Sequence, residues 1–323
     1  MEPLSSSSSS LPPNRRGPQL AWIGLGNMGR GMVKNLVRKG PLDTPLIISN
    51  RNAQRAFDLQ AILDPGKEKT VIAPTVVDAV QGADIVFTCL GDDDAMRQIA
   101  QEMSDLFNLN GKLFVDCSTV HPDTTHHLAD VFTKAGAEFV ACPVFGAPAV
   151  ADAGQLICVL AGPEDSIRKV RPYCKGVMGK ANIEFSGQSC SKATLLKIIG
   201  NTFILNMIEA LAEGHTIAEK SGLGNDHLHQ FIEIMFPGPY AAYSGRMISG
   251  DYYRREEPLF AVDLARKDAK HAHRLAEASG MSLKDVEVAD GHLSHVQEHM
   301  GKKGDIAGIY GAVRLESGLK FEN

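Results

Sequence analysis

The chain has 323 residues, 44 % of them hydrophobic, and a net charge of −5. That is enough apolar material for a large core in two domains, and it carries no basic surplus that would suit nucleic acid. No continuous apolar run approaches the roughly 20 residues a bilayer crossing needs.

Residues 1–18 (MEPLSSSSSSLPPNRRGP) combine a serine run with prolines and have little to bury, so they read as a disordered tail. A transit peptide is the competing reading, weakened by Glu2 and by having only Arg15 and Arg16 as basic residues. The six cysteines show no CxxC spacing and close apolar runs, which predicts free thiols in a reducing compartment. The expected location is cytoplasmic, with mitochondrial as runner-up.

From Leu20 onward, short apolar runs alternate with segments of helical period. LAWIG precedes a helix around residues 30–39, and PLIISN precedes one that begins near Ala53. TVIA, DIVFTCL, KLFVDC and EFVACPV follow, then QLICVLAG and NIEFSG as two further strands. This alternation predicts an α/β domain over 19–186, with a doubly wound, mostly parallel sheet covered by helices on both faces. After Gly187 strand signals stop. Helices are expected over 187–220, 225–235, 259–279 and 284–299, giving an all-α domain over 187–323 joined through one long inter-domain helix. MFPGPYAAYSGRM reads as a Pro/Gly-rich break in that domain.

WIGLGNMGRGM places Gly24, Gly26 and Gly29 in GxGxxG spacing after a strand and at the start of a helix, with Asn27 and Met28 between them. Glycines there permit a tight turn, let the backbone approach a pyrophosphate, and let helix pack on strand. The prediction is a Rossmann dinucleotide site. The second strand ends in Asn50 and Arg51, where an NAD site usually offers an acid to the ribose 2′-hydroxyl. A guanidinium suits a 2′-phosphate instead, so the expected cofactor is NADP, with NAD as runner-up.

In TLLKIIGNTFILNM, Lys197 interrupts an apolar run, and burying an unpaired ammonium costs several kcal/mol. Asn201 lies four residues on, on the same helical face, whereas Lys192 is turned away from it. Either the lysine snorkels or it has chemistry to do.

GLGNMG, DCSTVHP, CPVFGAP, LLKIIGN and LARKDAKHA, in this order, resemble the β-hydroxyacid dehydrogenases, a family that includes 3-hydroxyisobutyrate dehydrogenases and glyoxylate/succinic semialdehyde reductases. The resemblance runs from Leu20 to the end. It implies a Rossmann domain, a long helix and an all-α domain, with hydride transferred in the cleft between a nicotinamide and a small aldehyde, keto acid or 3-hydroxy acid. Lys197 matches the family's catalytic lysine and Asn201 the asparagine beside it. Ser118 and Thr119 match residues that touch substrate and nicotinamide ribose. Leu90 lines the cofactor, and Lys267, with Asp268 beside it, closes over the cofactor.

Two stretches depart from the family's pattern. Its substrate loop usually reads proline, a small residue, serine, glycine, glycine; here Pro143, Val144, Phe145, Gly146 and Ala147 stand there. Gly146 keeps a backbone N–H for a substrate carboxylate, but the serine hydroxyl is replaced by a phenyl ring, and Ala147, also expected to touch substrate, adds a methyl where a glycine is usual. Gly200 stands where the family commonly has a second asparagine. The substrate is therefore not assigned by the resemblance.

Competing functions are an imine reductase, a non-catalytic scaffold that binds dinucleotide, and a decarboxylating 6-phosphogluconate dehydrogenase. The first two are expected to lack a lysine at 197, and the third needs a longer C-terminal half. HVQEH (residues 295–299) has the spacing of an inverted zinc-peptidase motif but no further acidic ligand, and no metal is expected. Asp92, Asp93 and Asp94 are expected to cap a helix. The long helix carries apolar residues around much of its circumference, which predicts a homodimer or larger assembly.

Overall fold

The computed structural model describes residues 17–106 and 108–323. The tail expected over 1–18 therefore falls outside the described residues, apart from Gly17 and Pro18.

The first half alternates strand and helix: β1 (Leu20–Ile23), α1 (Asn27–Lys39), β2 (Leu46–Ser49), α2 (Ala53–Leu63), β3 (Thr70–Ile72), α3 (Val76–Gln81) and β4 (Ile85–Thr88). Next come α4 (Asp93–Leu106), β5 (Leu113–Asp116), α5 (Pro122–Lys134), β6 (Glu138–Ala141) and β7 (Val144–Phe145). The half closes with α6 (Pro148–Asp152), β8 (Leu156–Gly162), α7 (Glu164–Val170) and β9 (Gly179–Ser186). The strands form one sheet in the order β3-β2-β1-β4-β5-β6-β8-β7, with β9 on the other edge of β8. β1 to β6 pair in parallel, and β8 runs antiparallel to β6 and β7.

Strands β1, β4 and β5 are buried along their whole length, because helices cover both faces of the sheet. Trp22 stacks on Phe87 in one layer and Phe114 on Phe132 in the other, with ring centroids 5.6 and 3.9 Å apart. The winding reverses between β1 and β4. That switch point opens a crevice at the strand C-termini, where sheets of this kind bind ligands.

The second half is helical: α8 (Ser191–Lys220), α9 (Asn225–Met235), α10 (Pro239–Ile248), α11 (Asp251–Arg254), α12 (Val262–Ala278), α13 (Lys284–Met300) and α14 (Ile309–Glu316). α8 touches α5 and β8 on one side and α10, α12, α13 and α14 on the other, so it belongs to both cores. By length and mean composition α8 is apolar enough to cross a membrane, although Lys197, Asn201 and Asn206 interrupt its apolar run. Thirteen of its 30 residues are buried against the rest of the protein.

Three boundaries differ from the sequence reading for local reasons. The expected break at MFPGPYAAYSGRM holds α10: Pro239 takes the first helical position, where a missing N–H costs nothing, after Gly238 at φ 89°. The helix expected from 187 starts at Ser191, because Gly187 (φ 71°) turns the chain out of β9. The helix expected from 259 starts at Val262. The N–H groups of Leu259 and Phe260 instead donate to buried Asp305, at 2.8 and 3.1 Å, which keeps those two residues out of the helix.

Candidate active site

The glycine turn is built as a cradle. A Cβ at Gly24 (φ 102°) would lie 2.3 Å from the carbonyl oxygen of Cys89, and one at Gly29 would lie 2.1 Å from that of Gly24. Neither position accepts a side chain. A Cβ at Gly26 would meet nothing within 4 Å, so the backbone faces open space at the N-terminus of α1. Unpaired N–H groups there meet an anion with the positive end of the helix dipole, which fits a pyrophosphate. Leu90 covers the turn from the end of β4, its Cδ2 2.9 Å from where a Gly24 Cβ would sit. Met28 packs into the core beneath.

Asn50 and Arg51 have different surroundings. The Asn50 side chain accepts from the Leu25 N–H at 2.8 Å and donates to the Asn52 carbonyl at 2.9 Å, so it braces the glycine turn. Arg51 is exposed at the end of β2. Three contacts over the cradle were not foreseen. Asn27 Nδ2 donates to the Pro258 carbonyl at 2.8 Å, and Glu257 pairs with Arg30 at 3.1 Å and Arg55 at 3.7 Å. The segment that Asp305 holds thus lies over the phosphate turn. An opening of about 260 Å³ beside it is lined by Asn27, Arg30, Pro148 and Glu257, among others.

Across the crevice, Lys197 Nζ donates to Asn201 Oδ1 at 2.9 Å, and Asn201 Nδ2 donates to Asp268 Oδ2 at 2.7 Å. Asp268 is 4 % exposed, and its other oxygen lies 3.3 Å from Lys267 Nζ. Because Asp268 can only accept when ionised, it fixes which end of the Asn201 amide faces the lysine. Burial lowers the Lys197 pKa to about 8; Asp268 opposes that fall and Lys267 adds to it. The result is an ammonium still charged at neutral pH but readier to release its proton. The Lys197 ammonium also stands 4.6 Å from the centroid of the Phe145 ring.

Lys267 donates to the Thr119 carbonyl, so it bridges the helical domain to the end of β5. Ser118 is 1 % exposed; its Oγ accepts from the Leu90 N–H at 2.8 Å and so ties β5 to β4. Gly146 (φ 140°) and Ala147 follow β7 and lead into α6. Lys197, Asn201, Asp268, Lys267 and Thr119 thus form one connected group, with Phe145 against the lysine. The cradle residues form a second group.

Of the three acids at 92–94, Asp92 caps α4 through the Ala95 N–H at 2.8 Å. Asp93 accepts from the His121 N–H at 2.9 Å and the Thr124 hydroxyl at 2.6 Å, and lies 2.9 Å from His271 Nε2 on α12. These bonds hold its carboxyl well below the usual range, against the opposing effect of burial. It is an inter-domain tie, which spacing could not reveal.

His292 sits between Glu209 at 2.8 Å and Glu316 at 2.9 Å, and those carboxylates raise its pKa to about 9. His299 pairs with Glu322, and His295 is exposed. Three cysteines unlinked in sequence (Cys142, Cys158 and Cys174) bring their sulfurs within 4.8 Å of one another. All three are 0 % exposed in the apolar core, where thiolates around a cation would leave net charge unsolvated; they pack as small hydrophobes.

Residues 19–187 match the family model described as the NAD binding domain of 6-phosphogluconate dehydrogenase. The NADH-dependent oxidoreductase ucdB of Aspergillus ustus is 36 % identical over 295 residues, covering 91 % of this chain and 98 % of that protein. A 3-hydroxyisobutyrate dehydrogenase structure from Mycobacterium tuberculosis superposes with a TM-score of 0.75 at 21 % identity, over 92 % of this chain and 99 % of that one. An imine reductase from Pseudomonas sp. superposes at 0.58 with 17 % identity, over 91 % and 99 %. At these identities, the two structures speak for the fold alone.

Proposed function

The chain belongs to the β-hydroxyacid dehydrogenase family and is an NAD(P)-dependent oxidoreductase, and from that premise we propose that it reduces a small carbonyl compound with NADPH, Lys197 donating the proton. The observation that carries the reading is the chain Lys197–Asn201–Asp268, which holds a half-buried ammonium beside the Phe145 ring.

A bound nicotinamide supplies the hydride. The protein's own part is the other half of the reaction: an oxygen gaining charge must be polarised and then protonated. Lys197 does both, since its charge stabilises the developing oxyanion and its lowered pKa eases transfer of the proton. Asn201 holds the ammonium in line, and Asp268 positions Asn201. In the oxidative direction the neutral amine takes the proton back. Arg51, exposed where an acid would repel a 2′-phosphate, supports NADPH as the partner nucleotide. An imine substrate is disfavoured by the same lysine, because a protonated imine already carries the charge that Lys197 would supply.

The test is cofactor oxidation over a panel of small aldehydes, keto acids and cyclic imines. Carbonyl compounds are expected to oxidise NADPH, and imines to leave it unchanged. Turnover of imines with carbonyls inert would overturn the reading.

The helical domain also leaves apolar surface uncovered. Phe203 on α8 is 72 % exposed and Ile234 on α9 is 78 % exposed, with Ile199, Phe231 and Met235 also open. We take this face to pack against a second copy, which gives a homodimer. Light scattering is expected to report at least a dimer at micromolar concentration; a monomer would contradict it.

A further inference from the structure

We infer that Phe145 and Gly200 form one complementary unit that selects neutral carbonyl substrates with an apolar substituent and rejects carboxylated ones; this rests on the proposed role of Lys197. The two residues are 55 positions apart, and each is odd by itself. A phenyl ring stands at the edge of a polar site, and a glycine, which destabilises a helix relative to alanine, stands inside a 30-residue helix.

The structure joins them. Along β7 side chains alternate, so Val144 enters the sheet core and Phe145 turns toward α8. A Cβ at Gly200 would lie 2.4 Å from Cζ and 2.5 Å from Cε1 of that ring. The bare backbone at 200 is the space the ring occupies. Lys197, one helical turn earlier on the same face, has its ammonium 4.6 Å from the ring centroid. The ring face attracts that charge and keeps water from it on this side.

Substrate choice follows from what the unit lacks. Neither position 145 nor position 200 offers a side-chain donor beside Lys197. The other cation of the group, Lys267, is committed to the Thr119 carbonyl and to Asp268. A carboxylate placed against the ring would lose water and find no side-chain donor at 145 or 200, leaving it the backbone N–H at Gly146 and the ammonium that must serve the carbonyl oxygen, whereas an apolar group would gain contact.

The experiment compares Phe145→Ser, Gly200→Ala and the double variant. Gly200→Ala alone is expected to lower Tm, because the ring must move. In the Phe145→Ser background the same change is expected to raise Tm, since alanine then restores helix propensity without a clash. Phe145→Leu provides the same comparison if Phe145→Ser does not fold. Specificity is read as the ratio of kcat/KM for butanal to that for succinic semialdehyde, which differ by one carboxylate. The wild-type ratio is expected to exceed that of the double variant by about tenfold or more, the scale on which unpaired polar groups discriminate. Gly200→Ala acting with the same sign in both backgrounds, or a ratio unchanged within about twofold, would overturn the inference. If the wild type reduces neither aldehyde, the role assigned to Lys197 fails instead, and the Tm comparison still decides whether the two residues are a unit.

Discussion

Lys197→Met is expected to lower turnover of carbonyl substrates about 10²–10⁴-fold, the usual contribution of a positioned general acid. Methionine keeps most of the aliphatic length and the helix propensity, so the variant changes little except the ammonium. NADPH binding is expected to survive nearly intact, because the cradle of Gly24, Gly26 and Gly29 lies in the other domain. The loss should appear in kcat rather than in cofactor affinity. Asn201→Ala is expected to cost less, since the proton remains and only its aim is disturbed. Loss of Asp268 acts through Asn201 and belongs to the same class. A Lys197→Met enzyme that binds NADPH and turns over near the wild-type rate would reduce the lysine to a snorkelling side chain.

Arg51→Asp is expected to weaken NADPH by about 10–100-fold, on the scale of a lost charge-assisted hydrogen bond to a phosphate plus a new repulsion. NADH affinity should hold or improve, because an acid there can accept from the 2′-hydroxyl. The arginine is exposed at a strand end, so the substitution should leave Tm in place. The relative of 36 % identity is NADH-dependent by name, so the chain's own residues at 50 and 51 carry this argument. Equal use of NADH and NADPH by the wild type, unchanged in Arg51→Asp, would contradict it. Fluorescence titration of both nucleotides decides the matter without a substrate.

What the sequence made legible was local. Gly24, Gly26 and Gly29 declare themselves by spacing next to a strand, and their structural constraint is met within the same turn and the end of β4. Lys197 and Asn201 are readable because four residues make one helical face. The alternation of apolar runs announces the sheet, and the runs closed by Thr88, Asp116 and Ala141 are its central strands.

Contacts between distant residues were not legible. Asn201 to Asp268 spans 67 positions, His271 to Asp93 178, and Asn27 to Pro258 231; no periodicity encodes such pairs. Phe145 and Gly200 were visible only as two separate departures, because what joins them is a ring in the space of a missing side chain. Asn50 was placed with the cofactor by its position, while its amide braces the glycine turn. The α10 helix was hidden by its own prolines and glycines, which mark a helix start as readily as a break.

The central claim is that Lys197 gives its proton to the substrate oxygen, and the pH dependence of kcat for carbonyl reduction tests it most directly. A lysine lowered to about 8 by burial is charged below that pH and neutral above it, so it can donate only on the acid side. The wild type is expected to hold its rate at neutral pH and to lose it with an apparent pKa near 8 as pH rises, while the residual rate of Lys197→Met shows no such break. A wild-type profile flat from about pH 6 to about pH 10, or the same break in Lys197→Met, would contradict the account.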